Sequence, residues 1–256
     1  MLPGGQTTVG PHFLEDEQVK GLLFDVDGTL LDSMPIFLAS WTEVCPDYGL
    51  SMTMDMFYGF AGKPLPDIVK ALYVEQKGRE ATEEEIETFL SAKKKNHKDN
   101  EHKRGLPKPI ACVVKMARDA AAKGIPIAVA TSGLREHVEE HLQHAGLGDL
   151  FNAERNNIVC AAEVARGKPA PDVFLEAARR ISVDPAQCRA YEDGESGLMS
   201  AYAAGCHVID VTSMDEYPTC AGLQRAKVEA ANTRTWLPKA KASDDAFHFG
   251  TAAVRL

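Results

Sequence analysis

Short apolar runs alternate with amphipathic stretches along most of this chain. The first run, Gly21-Leu22-Leu23-Phe24, lies in a strand predicted over Val19–Val26 and stops abruptly at an Asp-x-Asp-Gly segment. A run so short and so uniformly apolar reads as a strand covered on both faces. Three more follow, at Ile125–Ala130, Cys188–Tyr191 and Cys206–Val211. Between them, Ile110–Lys123 carries apolar residues at 113, 114, 116 and 117 and meets Gly124. Leu134–Ala145 meets Gly146, and Glu195–Ala204 meets Gly205, while Pro171–Ile181 opens on a proline. These patterns predict helices, three of them stopped by glycine. Strands alternating with helices of about 10–15 residues predict βαβ units and a parallel sheet, hence an α/β fold.

The rhythm fails between Pro35 and Arg104. Helical patterns occur there at Ile36–Tyr48, Leu65–Glu75 and Glu83–Asn96, with no buried strand. The predicted organisation is a sheet-containing core, 1–34 with 105–256, and a helical insert over 35–104. The segment after Leu237 has little periodicity and is expected to be loosely ordered. No internal repeat is visible.

Composition narrows the function classes. Of 256 residues, 45% are hydrophobic and 25% charged, ordinary for a globular protein able to bury a core. The 28 Lys and Arg against 37 Asp and Glu give a formal charge of -9, which disfavours nucleic acid and anionic membranes as partners. The six cysteines, Cys45, Cys112, Cys160, Cys188, Cys206 and Cys220, form no Cys-x-x-Cys pair and predict reduced thiols. Met1–Gln18 lacks the basic and apolar regions of a secretory signal, and no apolar stretch reaches the ~20 residues of a membrane span. A cytoplasmic protein, monomeric or weakly oligomeric, is the expectation.

Three of the predicted strands end in polar residues: Asp25 and Asp27, Thr131 and Ser132, Glu192 and Asp193. Open parallel sheets bind ligands at the carboxyl ends of their strands, so these groups are predicted to converge. In extended backbone, residues two apart share a side, and neighbouring carboxylates stay ionised only beside a cation. Gly28 permits a tight turn that aims amide groups at an anion. The segment reads either as such a site or as a surface turn; an EF-hand loop is excluded by Thr29 and Ile36. Thr131 and Ser132 suit an anion site at a helix start or a simple N-cap. In Gly167-Lys168-Pro169-Ala170-Pro171-Asp172 the prolines could fix Lys168 as a point charge, against the reading of a solvated lysine. Glu192 and Asp193 suit Mg²⁺ or an acidic turn before a helix. One competing motif, His137-Val138-Glu139-Glu140-His141, fits the His-x-x-Glu-His pattern of a zinc peptidase through His137, Glu140 and His141, but lies in an ordinary amphipathic pattern of Leu134, Val138, Leu142 and Ala145.

Taken together and in order, four segments resemble the haloacid dehalogenase superfamily of phosphatases and phosphotransferases. They are Asp25-Val26-Asp27-Gly28-Thr29-Leu30, Thr131-Ser132-Gly133, Gly167 to Asp172, and Glu192-Asp193-Gly194-Glu195-Ser196-Gly197, with Ala201 to Gly205 similar as well. The resemblance spans about Gly21 to Val211. It implies a Rossmann-like core with an inserted helical cap, Mg²⁺ as cofactor and a small phosphorylated metabolite as substrate. It further implies Asp25 as nucleophile and metal ligand, and Asp27 as general acid/base at the metal site. Thr131 and Lys168 would hold the phosphoryl group, with Gly28, Thr29, Ser132 and Gly133 lining it, and Glu192 and Asp193 would complete the metal site.

Asp32-Ser33-Met34-Pro35, Ser40-Trp41, Gly62-Lys63 and the Lys94-Lys95-Asn96 region are similar to the branch of β-phosphoglucomutases and sugar-phosphate phosphatases. Lys63 and Lys95 are the cap cations this suggests for substrate. Members of that branch carry a His five residues after the aspartate at position 32, where this chain has Phe37. That departure favours hydrolysis over a mutase reaction. The other classes left open are a binding protein on a retired catalytic fold and the zinc peptidase.

Overall fold

The computed structural model describes residues 19–60, 64–214 and 216–218, with strand residues 248–249 and 252–253. The described chain divides into two compact units, one holding residues up to 31 and 109–218, the other 32–108. The second unit begins and ends a few residues outside the insert expected from periodicity.

The first unit is built on a parallel sheet of five strands. These are β1 (Gly21–Phe24), β4 (Ile127–Thr131), β5 (Ile158–Cys160), β6 (Cys188–Glu192) and β7 (His207–Asp210), in the order β5-β4-β1-β6-β7. Two-residue strands, β2 (Leu31–Asp32) and β3 (Lys108–Pro109), mark where the chain passes between units. Helices α5 (Ala111–Ala122), α6 (Arg135–His144), α7 (Asp172–Arg180) and α8 (Glu195–Ala203) supply the crossovers. All residues of β1, β4 and β6 are buried, as in strands covered on both faces, although β6 carries Arg189 within it. Leu23, Ala128, Ala190, Phe174, Ala177, Leu198 and Ala201 belong to one core between the sheet and helices α7 and α8.

The strand β5 is absent from the periodicity reading. Ile158-Val159-Cys160 is too short to show a period and lies at the sheet edge, and its place is fixed by long-range contacts. The buried Asn157 before it donates from Nδ2 to the carbonyls of Ile127 and Leu150, at 3.0 and 2.9 Å. The tail expected to be loose contains a short antiparallel pair, β8 (His248–Phe249) with β9 (Ala252–Ala253); its other residues lie outside the described ones.

The second unit is helical: α1 (Met34–Val44), α2 (Met54–Gly59), α3 (Leu65–Lys77) and α4 (Glu83–Arg104). Trp41, Val44, Val69, Leu72, Tyr73, Ile86 and Phe89 form its core. Helix α4 starts at a capping box, Thr82 with Glu85, as the Thr-x-x-Glu spacing favours. It runs eight residues past the expected end at Asn96. Its last turns face α1 through polar rather than apolar groups: Asn100 Nδ2 donates to Glu43 Oε2 at 3.0 Å and Arg104 Nη2 to Glu43 Oε1 at 3.1 Å. Apolar periodicity has nothing to report in such an interface.

Candidate active site

The sheet order sets the site. The chain builds outward from β1 to β4 and β5 on one side, then returns to β6 and β7 on the other, so β1 and β6 flank the point where connections diverge. Ligand sites of open α/β sheets lie there, beyond the strands' carboxyl ends. The register pairs Phe24 with Tyr191, which places the next residues, Asp25 and Glu192, side by side on adjacent strands. Neighbouring strands lie ~4.8 Å apart, close enough for two carboxylates to repel strongly.

Lys168 answers that repulsion. Its ammonium donates to Asp25 Oδ1 at 2.6 Å and to Glu192 Oε1 at 2.8 Å. The side chains of Lys168, Asp25 and Glu192 are only 6, 9 and 4% exposed, so solvent hardly screens the triad. Burial alone would lower the lysine's pKa, but the two carboxylates outweigh it and hold the ammonium well above the ordinary lysine range. Burial pushes Glu192 up to about 7, with the Asp25 charge adding to the rise and Lys168 opposing it. The solvated-lysine reading therefore fails. The Lys168–Pro169 peptide is cis, Ser200 Oγ donates to the Ala170 carbonyl at 2.6 Å, and the ammonium lies 5.1 Å from the centre of the Phe174 ring.

Asp193 completes a carboxylate group with Asp25 and Glu192: one oxygen from each lies within 4.8 Å of the others. Three hard oxygen donors at that spacing fit a divalent cation such as Mg²⁺, and the residues present match what that ion requires. Asp27, expected as a fourth acid there, is not in this group. After β1 the chain coils, with the amides of Thr29, Leu30 and Leu31 all donating to the Val26 carbonyl. That bend turns Asp27 towards the Thr131–Gly133 turn, where its Oδ2 lies 3.8 Å from the position of a Cβ on Gly133.

Thr131 ends β4, buried, and its Oγ1 accepts from the Gly133 amide at 3.0 Å; Ser132 is exposed. Neither hydroxyl caps α6, so the N-cap reading of these residues fails. On the far side of Asp25, Gly28 adopts a φ of 79°, Thr29 Oγ1 donates to Asp193 Oδ1 at 3.2 Å, and the Gly194 amide donates to Glu192 Oε2 at 2.7 Å.

Two glycines make room for the acids. A Cβ on Gly28 would lie 2.3 Å from Asp193 Oδ2, and one on Gly197 would lie 1.5 Å from Glu192 Oε1. Gly197→Ala is therefore expected to force Glu192 off Lys168, weakening divalent-metal binding measured by calorimetry and costing about 1–3 kcal/mol in urea unfolding. Unchanged metal binding in a folded variant would contradict this packing.

In the helical unit, Lys63 lies outside the described residues. Lys95 is exposed, whereas Lys93 is the buried lysine of α4, its Nζ 5.3 Å from the centre of the Phe37 ring and 5.5 Å from that of Trp41. Phe37 itself stacks on His97 with ring centres 4.8 Å apart. The zinc-peptidase reading is not supported. His137 and His141 share a helix face with ring centres 6.5 Å apart, but Glu140 is exposed, and among the described residues no third ligand joins them.

The chain is similar to known proteins over most of its length. A family model described as haloacid dehalogenase-like hydrolase matches residues 22–211. The chain is 33% identical over 201 residues to fructose-1-phosphate phosphatase YqaB of Escherichia coli K12, covering 76% of this chain and 97% of that protein. It is 32% identical to hexitol phosphatase A of the same organism, over 78% of this chain and 86% of that one. Among solved structures, a HAD hydrolase of family IA, variant 3, from Entamoeba histolytica superposes with a TM-score of 0.62 at 25% identity, over 75% of this chain and 83% of that one.

Proposed function

The chain belongs to the haloacid dehalogenase-like hydrolases and is a phosphatase of that family; we propose that it hydrolyses small sugar or sugar-alcohol phosphates, with Mg²⁺ and through an aspartyl-phosphate on Asp25. The observation that carries this reading is the buried contact of Lys168 with both Asp25 and Glu192 beside Asp193. An anionic nucleophile meeting an anionic substrate needs positive charge in place beforehand, and this is where it is concentrated.

In this mechanism Asp25 attacks phosphorus as the bond to the sugar oxygen breaks. Asp27, on the Thr131 side, gives its proton to the departing oxygen and then takes one from the water that cleaves the acyl-phosphate. Splitting the displacement in two gives water a carboxylate rather than a sugar alkoxide to displace. Lys168 and the Thr131 hydroxyl hold the phosphoryl oxygens, and the turn residues Gly28, Thr29, Ser132 and Gly133 line the phosphoryl group. Asp25, Glu192 and Asp193 would hold Mg²⁺, which supplies Lewis-acid stabilisation of phosphoryl charge when bound. Phosphate release therefore goes with alternate protonation of one carboxyl and consumes one water, with no oxidant needed.

The sugar-phosphate class rests on the relatives named above, one acting on fructose 1-phosphate and one on hexitol phosphates by their names. Phe37, where members of the β-phosphoglucomutase and sugar-phosphate phosphatase branch carry a histidine, supports water as acceptor. The acidic balance fits a cytoplasmic enzyme, monomeric or weakly oligomeric. A panel of phosphorylated hexoses and hexitols, assayed for phosphate with Mg²⁺ and with EDTA, tests the reading. Release that needs Mg²⁺, and phosphate rather than glucose 6-phosphate from β-glucose 1-phosphate, are expected. Full activity in EDTA would remove the metal from the reading, and glucose 6-phosphate as the main product would favour the mutase.

A further inference from the structure

Three strand ends meet at one hydrogen bond. The chain leaves β7 through a turn in which the Asp210 side chain accepts from the Thr212 amide at 3.0 Å. The turn continues with the Tyr217 amide donating to the Met214 carbonyl at 3.1 Å. Tyr217 is thereby brought back towards the loop after β1, two strands away. Its phenol, with the residue only 6% exposed, donates to the Gly28 carbonyl at 2.6 Å.

That carbonyl belongs to the peptide linking Gly28 to Thr29. Both ends of the peptide touch Asp193: Gly28 leaves no room for a Cβ against Asp193 Oδ2, and Thr29 Oγ1 donates to Asp193 Oδ1 at 3.2 Å. The left-handed φ of 79° at Gly28 is a conformation that glycine tolerates but does not select, so something else must select it. The Gly28 amide, donating to the Leu31 carbonyl at 2.8 Å, and the buried phenol on the Gly28 carbonyl do so together, and rotating the peptide would strand that carbonyl without its donor.

We propose that Tyr217 is a positioning residue for the metal site: by fixing the Gly28–Thr29 peptide it orients Asp193 for the cation that Asp25, Glu192 and Asp193 would hold. The inference rests on the metal-site reading above. Tyr217 bonds the Gly28 carbonyl, and its effect on the metal site runs through Gly28 and Thr29.

The test is Mg²⁺ titration of the full chain by calorimetry, comparing wild type with Tyr217→Phe, alongside thermal melts in EDTA and metal-dependent kinetics. One neutral hydrogen bond is worth about 0.5–1.5 kcal/mol, so Mg²⁺ affinity should fall roughly three- to ten-fold. The kcat at saturating Mg²⁺ should stay within about two-fold, which separates positioning from catalysis. Tyr217→Gln, whose amide can donate, should recover part of the affinity. Equal Mg²⁺ affinity in wild type and the Phe variant, whatever the melting temperatures, would overturn the proposal. So would a fall in kcat at saturating metal with affinity unchanged. Absence of Mg²⁺ binding in wild type would remove the metal-site reading first, and this inference with it.

Discussion

Asp25→Asn is expected to abolish phosphate release, by on the order of 10⁴-fold or more, while leaving the protein folded. The amide is close to isosteric with the carboxylate but cannot form an acyl-phosphate. Its effect on the buried charges is mild. Wild type sets one ammonium against two carboxylates, and the variant sets it against Glu192 alone, still bonded at 2.8 Å in wild type. Removing the Asp25 charge also removes one cause of the raised Glu192 pKa. The melting temperature should therefore change little, and acid quenching during turnover should trap no phosphoenzyme. Substantial turnover in the folded variant would sink the nucleophile assignment.

What the sequence disclosed follows a physical division. Strand β1, a buried run ending in acids, is visible because double-sided burial writes itself as an uninterrupted apolar stretch; β6 shows more weakly because Arg189 interrupts it. The acids and Lys168 are visible because they stand at those ends or just before a pair of prolines. Groups whose role depends on distant partners are not: Tyr217 lies 189 residues from Gly28, and Ser200 reaches the Ala170 carbonyl from another helix. Gly197 gives no outward sign that a carboxylate fills the space of its missing side chain. Lys93 is the instructive miss. Three consecutive lysines look alike, yet Ile86, Phe89 and Lys93 are spaced by three and four, which continues the buried face of α4. The phase of the helix, rather than the charge run, identifies the lysine that packs on α1.

Lys168→Met should damage both catalysis and stability, and should cost far more stability than Asp25→Asn. Methionine fills similar volume without strain but brings no charge. Losing a preorganised cation at the phosphoryl group costs about 10²–10³-fold in kcat. The larger consequence is in the folded protein, where Asp25 and Glu192 would remain buried beside each other without their cation. Removing one partner from a buried ion pair costs about 3–5 kcal/mol, or roughly 6–20 °C in melting temperature for a chain of this size. The cost should depend on pH with a definite sign. Burial already pushes Glu192 up to about 7, above its ordinary value, and Lys168 is the group that opposes the rise. Without the lysine its folded-state pKa climbs further, so the folded variant binds a proton that the unfolded chain releases. Stability from such a group is present below the unfolded pKa and is lost as pH rises towards the folded one. In EDTA, the gap in melting temperature between variant and wild type should therefore widen from pH 6 to pH 8. A gap that stays constant over that range would show that the loss comes from packing rather than from the two uncompensated carboxylates.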